Sequence, residues 1–343
     1  MSLPKAIAVL AALALALGLT ACANREFIAE HGSPPPATPG LNAWIVSGRA
    51  IWHTDDGGAG WTRQLERAPR QLVGIAFADA SHGWAVGTHG LILATTNGGV
   101  SWKAQASSGP HLWQVDCVDA RHVWAIGPAG ELVSTTDGGA SWHTQVVPGV
   151  AHSTSGDVGL AFADARRGWV AAGHLIWRTS DGGATWTVQR RRPGEWLAAV
   201  ACSDARHAWA VGKAGDDAPL VLATSDGGAT WQRQHVGRAG LSYGNFALSA
   251  VACSGDRLAW AGSSSQQLLT LTSDGGRTWQ VERLPGASVY AMAAADAGHV
   301  VFTTNGQPIL FSGNGGLTWN ASGKTHWLDD AAQGVAAISM GTE

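Results

Sequence analysis

The chain is short of charge, of cysteine and of apolar runs long enough to span a membrane, and each shortage closes off a class of protein. Charged residues make up 14% of the 343, and the formal net charge is −3. Nucleic-acid binding needs a basic domain, so no nucleic acid is expected as a partner. The four cysteines, Cys22, Cys117, Cys202 and Cys253, include no C-x-x-C spacing and have no histidine at ligand spacing, which argues against a disulfide framework or a metal site. The apolar run from Ala6 to Leu19 is shorter than the roughly 20 residues that cross a bilayer as a helix. No cofactor is expected either, since there is no phosphate-cradling glycine loop and no Ser/His/Asp order.

Glycine and tryptophan are abundant, 46 and 18 residues, and they recur together. A motif Ser/Thr-x-Asp/Asn-Gly-Gly-x-Ser/Thr-Trp appears seven times, with its Trp at 61, 102, 142, 186, 231, 279 and 319 and its acceptor at Asp56, Asn97, Asp137, Asp181, Asp226, Asp274 and Asn314. A period of 40–48 residues means one supersecondary unit repeated in space, and four short strands per unit suits a propeller blade. The expected fold is all-β, a seven-bladed β-propeller with four-stranded blades. In the unit at 72–107, Leu72 to Ala78, Trp84 to Gly87 and Leu91 to Thr95 read as strands, and Trp102 opens the fourth. Apolar residues on both faces of the third strands, at Ile51, Ile92, Leu132, Ile176, Val221, Leu269 and Ile309, fit blades packed against blades.

The box has a physical logic. Its Asp or Asn accepts backbone N–H groups across a tight turn, the paired glycines permit positive φ, and the Trp covers the hairpin. Gly60 alone lacks the hydroxyl, so the first box is expected to be the loosest. Seven equal sites argue for a turn, not for catalysis or calcium. The same reasoning applies to His82, His122, His207 and His299, which share one turn position with Arg167, and to Cys117, Cys202 and Cys253, which share one strand position with Phe77, Phe162 and Ala294 as small buried hydrophobes.

The first unit lacks its first strand. The tail Gly334 to Met340 has the matching apolar pattern, so the C-terminal strand is expected to complete blade 1 and close the ring, removing two open sheet edges. Residues 1–21 read as a signal peptide, with Lys5 before the apolar run, and Leu19-Thr20-Ala21-Cys22 resembles a bacterial lipobox in which Cys22 is lipidated. Residues 22–41 hold Pro34, Pro35, Pro36 and Pro39 and read as an extended tether; residues 42–343 form the propeller.

Segments such as His82-Gly83-Trp84-Ala85-Val86-Gly87 followed by Leu91 to Gly99 resemble the BNR/Asp-box propellers related to the photosystem II stability and assembly factor, over residues 42–340. The resemblance implies a non-enzymatic scaffold or assembly factor for a membrane complex. With the lipobox it implies a cell-envelope lipoprotein facing the periplasm, held to the membrane by its lipid anchor only and acting as a monomer. The segments from each fourth strand to the next first strand lie on the face opposite the boxes and carry eleven Lys/Arg against six Asp/Glu. Arg63, Arg67, Arg70, Arg190, Arg191, Arg192, Arg233 and Arg238, with the three tryptophans outside the regular pattern, Trp113, Trp196 and Trp327, are the candidate partner-binding residues, because Arg presents paired donors to anionic groups and Trp with Arg makes hot spots.

Asp boxes also occur in sialidases and xyloglucanases, so a glycoside hydrolase is the alternative. Such chemistry needs two placed carboxyls, or a Tyr nucleophile with an acid and an arginine cluster. The chain has two tyrosines, Tyr243 and Tyr290, and its adjacent pairs Asp55-Asp56, Asp216-Asp217 and Asp329-Asp330 do not specify opposed carboxyls.

Overall fold

The apolar stretches of each unit are only three to eight residues long and end in Gly, Asp or Ser turns, so the chain folds back on itself as short antiparallel strands. The computed structural model describes residues 29–30, 40–150, 157–215, 217–237, 247–284, 288–304, 309–322 and 335–342. Cys22, Arg238 and Trp327 lie outside these residues, as do the segment 1–28 and most of the tether.

Seven sheets form the ring, six of four strands and one of five. Blade 2 is built from Leu72–Phe77, Gly83–Gly87, Leu91–Thr95 and Lys103–Ser107, within a residue or so of the sequence expectation. Blade 3 starts at Gln114–Cys117, blade 4 at Val158–Phe162, blade 5 at Trp196–Cys202, blade 6 at Ala250–Ser254 and blade 7 at Val289–Ala294. These innermost strands line the central channel. Blade 1 takes its innermost strand from the other end of the chain: Val335–Thr342 runs antiparallel to Leu41–Ser47, from Leu41 opposite Thr342 to Ser47 opposite Val335. This strand lies between the innermost strands of blades 7 and 2, so the two ends of the chain close the ring.

The fifth strand of blade 7 departs from the expectation of an uninterrupted tether. Ala29–Glu30 pairs in parallel with the outer strand Trp319–Ala321, Ala29 opposite Trp319 and Glu30 opposite Asn320.

The core lies between blades. Trp44, Trp84, Trp124, Trp169, Trp209 and Trp260, all on second strands, are fully buried, and Val301 takes their place in blade 7. At roughly 25 cal/mol per Å² and roughly 150–250 Å² buried apiece, each indole contributes at most about 4–6 kcal/mol. Phe77 lies flat on Trp44 of the preceding blade, ring centroids 3.6 Å apart, and Phe162 does the same on Trp124 at 3.7 Å. Each ring fills space above a glycine that begins its own blade's second strand: a Cβ on Gly83 would sit 2.5 Å from Phe77, and one on Gly168 2.6 Å from Phe162. Where the first position is Cys117 or Cys202, the partner across the hairpin is the larger Val123 or Ala208. The three cysteines pack on the interblade cores as free thiols, and burial raises the pKa of each, that of Cys253 to about 12.

Candidate functional site

The box turns are the most repeated feature, and their polar atoms are consumed locally. In blade 3, the Thr135 hydroxyl donates to Asp137 Oδ1 at 2.7 Å and accepts the Gly139 N–H at 2.9 Å. The Ser141 N–H donates to Oδ1 at 2.9 Å and its hydroxyl to Oδ2 at 2.6 Å. Asp181, Asp226 and Asp274 repeat this pattern. The Ser141 hydroxyl and N–H, then Thr135, hold the Asp137 carboxyl below the usual range, and the hydroxyl and N–H of Thr230 hold Asp226 at about 2. Asn97 and Asn314 keep the turn without charge, each amide donating to the hydroxyl of Ser101 or Thr318. In the first box Asp56 keeps the Gly60 N–H and the Thr54 hydroxyl, and Gly60 brings no hydroxyl for the second oxygen.

The boxes also fasten one blade to the next. Gln64, Gln105, Gln189 and Gln234, on outer strands, each donate to the carbonyl of the first box glycine in the following blade. Gln189 and Gln234 accept, in addition, the indole N–H of Trp231 and Trp279. A Cβ on Gly99 would collide with the Gln64 amide, and Gly99 also has φ +89°, so the second glycine is fixed twice over. At the first hairpins, Asp79, Asp119, Asp204 and Asp296 accept from the backbone of the turn and bind His82, His122, His207 and His299 at 2.8–3.0 Å, with Asp164 binding Arg167 in the same way. These histidines are turn residues, one in each of four blades. Among the described residues no cluster of three His, Cys, Asp or Glu side chains is arranged to hold a metal.

Among the described residues the channel is lined mainly by small apolar side chains, with one acidic exception. At the position of Ala76, Ala161, Ala201, Ala252 and Ala293, blade 3 has Asp116. Its carboxylate accepts the Phe162 N–H from blade 4 at 2.6 Å and the Cys117 N–H at 2.9 Å, while Gln114 accepts the Leu160 N–H at 2.8 Å. Two side chains of blade 3 thus satisfy exposed donors on the inner edge of blade 4. Burial pushes the Asp116 pKa up to about 6 against these hydrogen bonds.

The face opposite the boxes carries Trp113, Trp196 and Tyr290. Trp113 and Tyr290, the latter 46% exposed, stand at the channel mouth. Trp196 is 38% exposed, and its indole N–H donates to Asp157 Oδ2 at 3.1 Å. With Asp157, Lys213, Leu248, Ser249 and Ser264 it walls a cavity of about 380 Å³. Arg67 and Arg70 are exposed in the segment after blade 1 and Arg192 in the one after blade 4, while the exposed Arg191 ends the outer strand Thr187–Arg191. Arg190 is engaged internally: its guanidinium grips the buried Glu195 carboxylate at 2.9 and 3.0 Å. Arg63 and Arg233 lie within the outer strands Thr62–Leu65 and Gln232–Gln234, not in links, and Arg63 sits 5.4 Å over the Trp52 ring and 3.4 Å from Glu66. Blades 1 and 4 are not neighbours, so the arginines form separate groups around the ring. Sequence reasoning did not assign Tyr290, Asp157 or Lys213 to this face. Tyr290 had a signal, because the equivalent residues are the smaller Val73, Val158, Ala198 and Ser249, with Trp113 in blade 3 the one other aromatic among them.

A ring of Asp-box blades whose turn residues bond within their own turns, with Trp113, Trp196 and Tyr290 on the opposite face, defines a propeller scaffold. The model of the family described as Photosynthesis system II assembly factor YCF48 matches residues 64–144 and 194–329, more than half of the chain, and the chain belongs to that family. The family supports an assembly or scaffold role. The "Photosystem II assembly lipoprotein Ycf48" of Synechococcus sp. (strain CC9902) is 30% identical over 119 residues, 29% of this chain and 35% of the relative, so the match spans about a third of that protein. The solved structure of YCF48 bound to D1 peptide aligns with a TM-score of 0.57 at 18% identity, over 84% of this chain and 88% of that one. The GH74 xyloglucanase from Xanthomonas campestris aligns with a TM-score of 0.62 at 17% identity, over 85% of this chain but 54% of the enzyme. At such identities the two structures bear on the fold alone.

Proposed function

We propose that this protein is a non-enzymatic envelope lipoprotein that holds a segment of a membrane-protein subunit while its complex is assembled. The family match across both halves of the ring carries this reading. The D1 peptide bound by the solved YCF48 suggests the kind of partner, a peptide segment of a membrane protein. Arg67, Arg70, Arg191 and Arg192 supply exposed cations for an acidic segment, and Trp113, Trp196 and Tyr290 supply apolar surface on the same face. Crosslinking in intact cells, followed by mass spectrometry, identifies the partner. Reversing Arg191 and Arg192 to Glu is expected to weaken its capture on the order of tenfold; undiminished capture removes this face from the account. Lipid attachment at Cys22 is tested separately, by loss of labelled-palmitate incorporation in Cys22→Ala.

The xyloglucanase similarity keeps a hydrolase as the second reading. Against it, the aspartates of boxes 3 to 6 and of five first hairpins are bonded within their own turns, and Asp116 binds backbone across a blade junction. Clear turnover of chromogenic glycosides by the purified chain reverses the preference.

A further inference from the structure

The seven box turns project from one face of the ring, and the residue at each tip follows the paired glycines. In order from blade 1 these are Ala59, Val100, Ala140, Ala184, Ala229, Arg277 and Leu317. Two of the tips are large and apolar, and they stand in the open: Val100 is 81% exposed and Leu317 is 56% exposed. The same two boxes, and no others, have Asn in place of Asp, at Asn97 and Asn314. Blades 7 and 2 flank blade 1, so the two neutral, apolar turns bracket one sector of the ring. Repetition explains none of this, because the other five boxes hold the same turn with a charged residue.

The path of the chain points to the same sector. Outer strands run away from the box turns, and Ala29–Glu30 lies parallel to the outer strand Trp319–Ala321, with Ala29 beside Trp319 at the box end. The chain therefore enters this pairing from the box side of blade 7. Cys22 precedes Ala29 by seven residues, a reach of at most about 25 Å at roughly 3.5 Å per residue. An acyl group on Cys22 cannot place the bilayer far from the box turns of blade 7.

From these two independent observations we infer that the box face, tilted onto the sector of blades 7, 1 and 2, rests on the lipid surface with Val100 and Leu317 at the interface. The opposite face, with Trp113, Trp196, Tyr290 and the link arginines, then points away from the membrane. The inference rests on lipidation of Cys22. The occupant is a bilayer and not a protein, because the anchor holds one within reach and neutral turns lower the cost of approaching an apolar phase. The sector is not free of charge: Asp55 and Asp56 of blade 1 lie between the two tips, and the first hairpins bring Asp79 with His82 and Asp296 with His299. That balance favours a zwitterionic surface over an anionic one.

The test uses the full chain purified from membranes, with the mass of its N-terminal peptide recording whether Cys22 carries lipid. Environment-sensitive fluorophores are attached in Val100→Cys and Leu317→Cys, and on the opposite face in Ser108→Cys and Val146→Cys, with the unsubstituted chain as the background for the three half-buried thiols. Each protein is reconstituted into phosphatidylcholine vesicles containing a headgroup-proximal nitroxide lipid. Labels at 100 and 317 are expected to shift to the blue and be quenched, while those at 108 and 146 stay in water. With Cys22 acylated, equal quenching on both faces or quenching on the opposite face overturns the orientation and leaves the anchor standing. A blue shift at 100 and 317 in native membranes without lipid quenching assigns the sector to a protein and overturns it as well. A chain whose N-terminal peptide carries no lipid refutes the anchor, and the orientation with it.

Discussion

Removing residues 335–343 takes the innermost strand out of blade 1. Seven residue pairs join Val335–Thr342 to Leu41–Ser47. At roughly one ladder hydrogen bond per pair and about 0.5–1.5 kcal/mol net for each, the loss is roughly 4–10 kcal/mol. Folded proteins have about 5–15 kcal/mol in total, so the truncation consumes most of the margin. It also opens the edge of a strand whose Ala43, Trp44, Ile45 and Val46 are fully buried, and gives that edge free donors and acceptors for pairing with a second molecule. The melting temperature, followed by far-ultraviolet circular dichroism and by tryptophan fluorescence, is expected to fall by roughly 8–20 °C, at about 2 °C per kcal/mol for a chain of this size. Gel filtration is expected to show association. A synthetic peptide of residues 334–343 added in excess should restore the melting temperature in proportion to the logarithm of its concentration. A truncated chain that melts within about 2 °C of the whole one refutes closure by this strand.

Other parts of the repeat make sharper, smaller claims. Gly83→Val places a Cβ 2.5 Å from the Phe77 ring and is expected to cost about 1–3 kcal/mol; combining it with Phe77→Cys, as Cys117 faces Val123 in blade 3, should show favourable coupling in a double-mutant cycle of denaturant midpoints, and strict additivity contradicts the size match. Thr135→Val removes a fully buried hydroxyl that accepts the Gly139 N–H and is expected to cost about 1–3 kcal/mol, whereas Asp137→Asn, which blades 2 and 7 use naturally, keeps the turn and should cost less, losing only what the charge contributes. Asp226 is held at about 2, below its unfolded value, so its stabilisation is present above about pH 4 and lost as pH falls through about 2. Asp116 runs the other way: raised to about 6, it makes the fold lose stability as pH rises from about 4 to 6, and Asp116→Asn should flatten that part of a stability-pH curve.

The fold was legible because it is written seven times. Box spacing fixed the blade number, apolar stretches located strands to within a residue or so in blade 2, and a missing first strand beside an apolar tail implied the closure. Side chains that join different blades were less accessible. Gln189 and Gln234 bond to indoles more than 40 residues away, and no local pattern announces that pairing. Two residues adding a strand to blade 7 leave no periodicity to detect. Segments counted as links also contained parts of outer strands, which is why Arg63, Arg190, Arg191 and Arg233 lie in strands and not in links, and the Arg190–Glu195 pair engages one arginine internally.

Repetition and function therefore occupy different residues. A position filled alike in seven blades reports what every blade needs: a turn, a clasp or a buried indole. A partner or a membrane breaks the ring's symmetry, so whatever recognises one must sit where a single blade departs from its siblings. Asp116 among alanines is a departure of that kind, and so are Trp113 and Tyr290, two aromatics at a position held elsewhere by Val73, Val158, Ala198 and Ser249. Val100 and Leu317 at the only two uncharged boxes are another, and Ala29–Glu30 pairs with the outer strand beside one of them. The link arginines are departures too, but they lie in segments that vary in every blade, so variation alone marks them weakly. Among the described candidates, exposure and pairing favour Arg67, Arg70 and Arg192, with Arg191 at the end of an outer strand, as cations presented to solvent on that side of the ring.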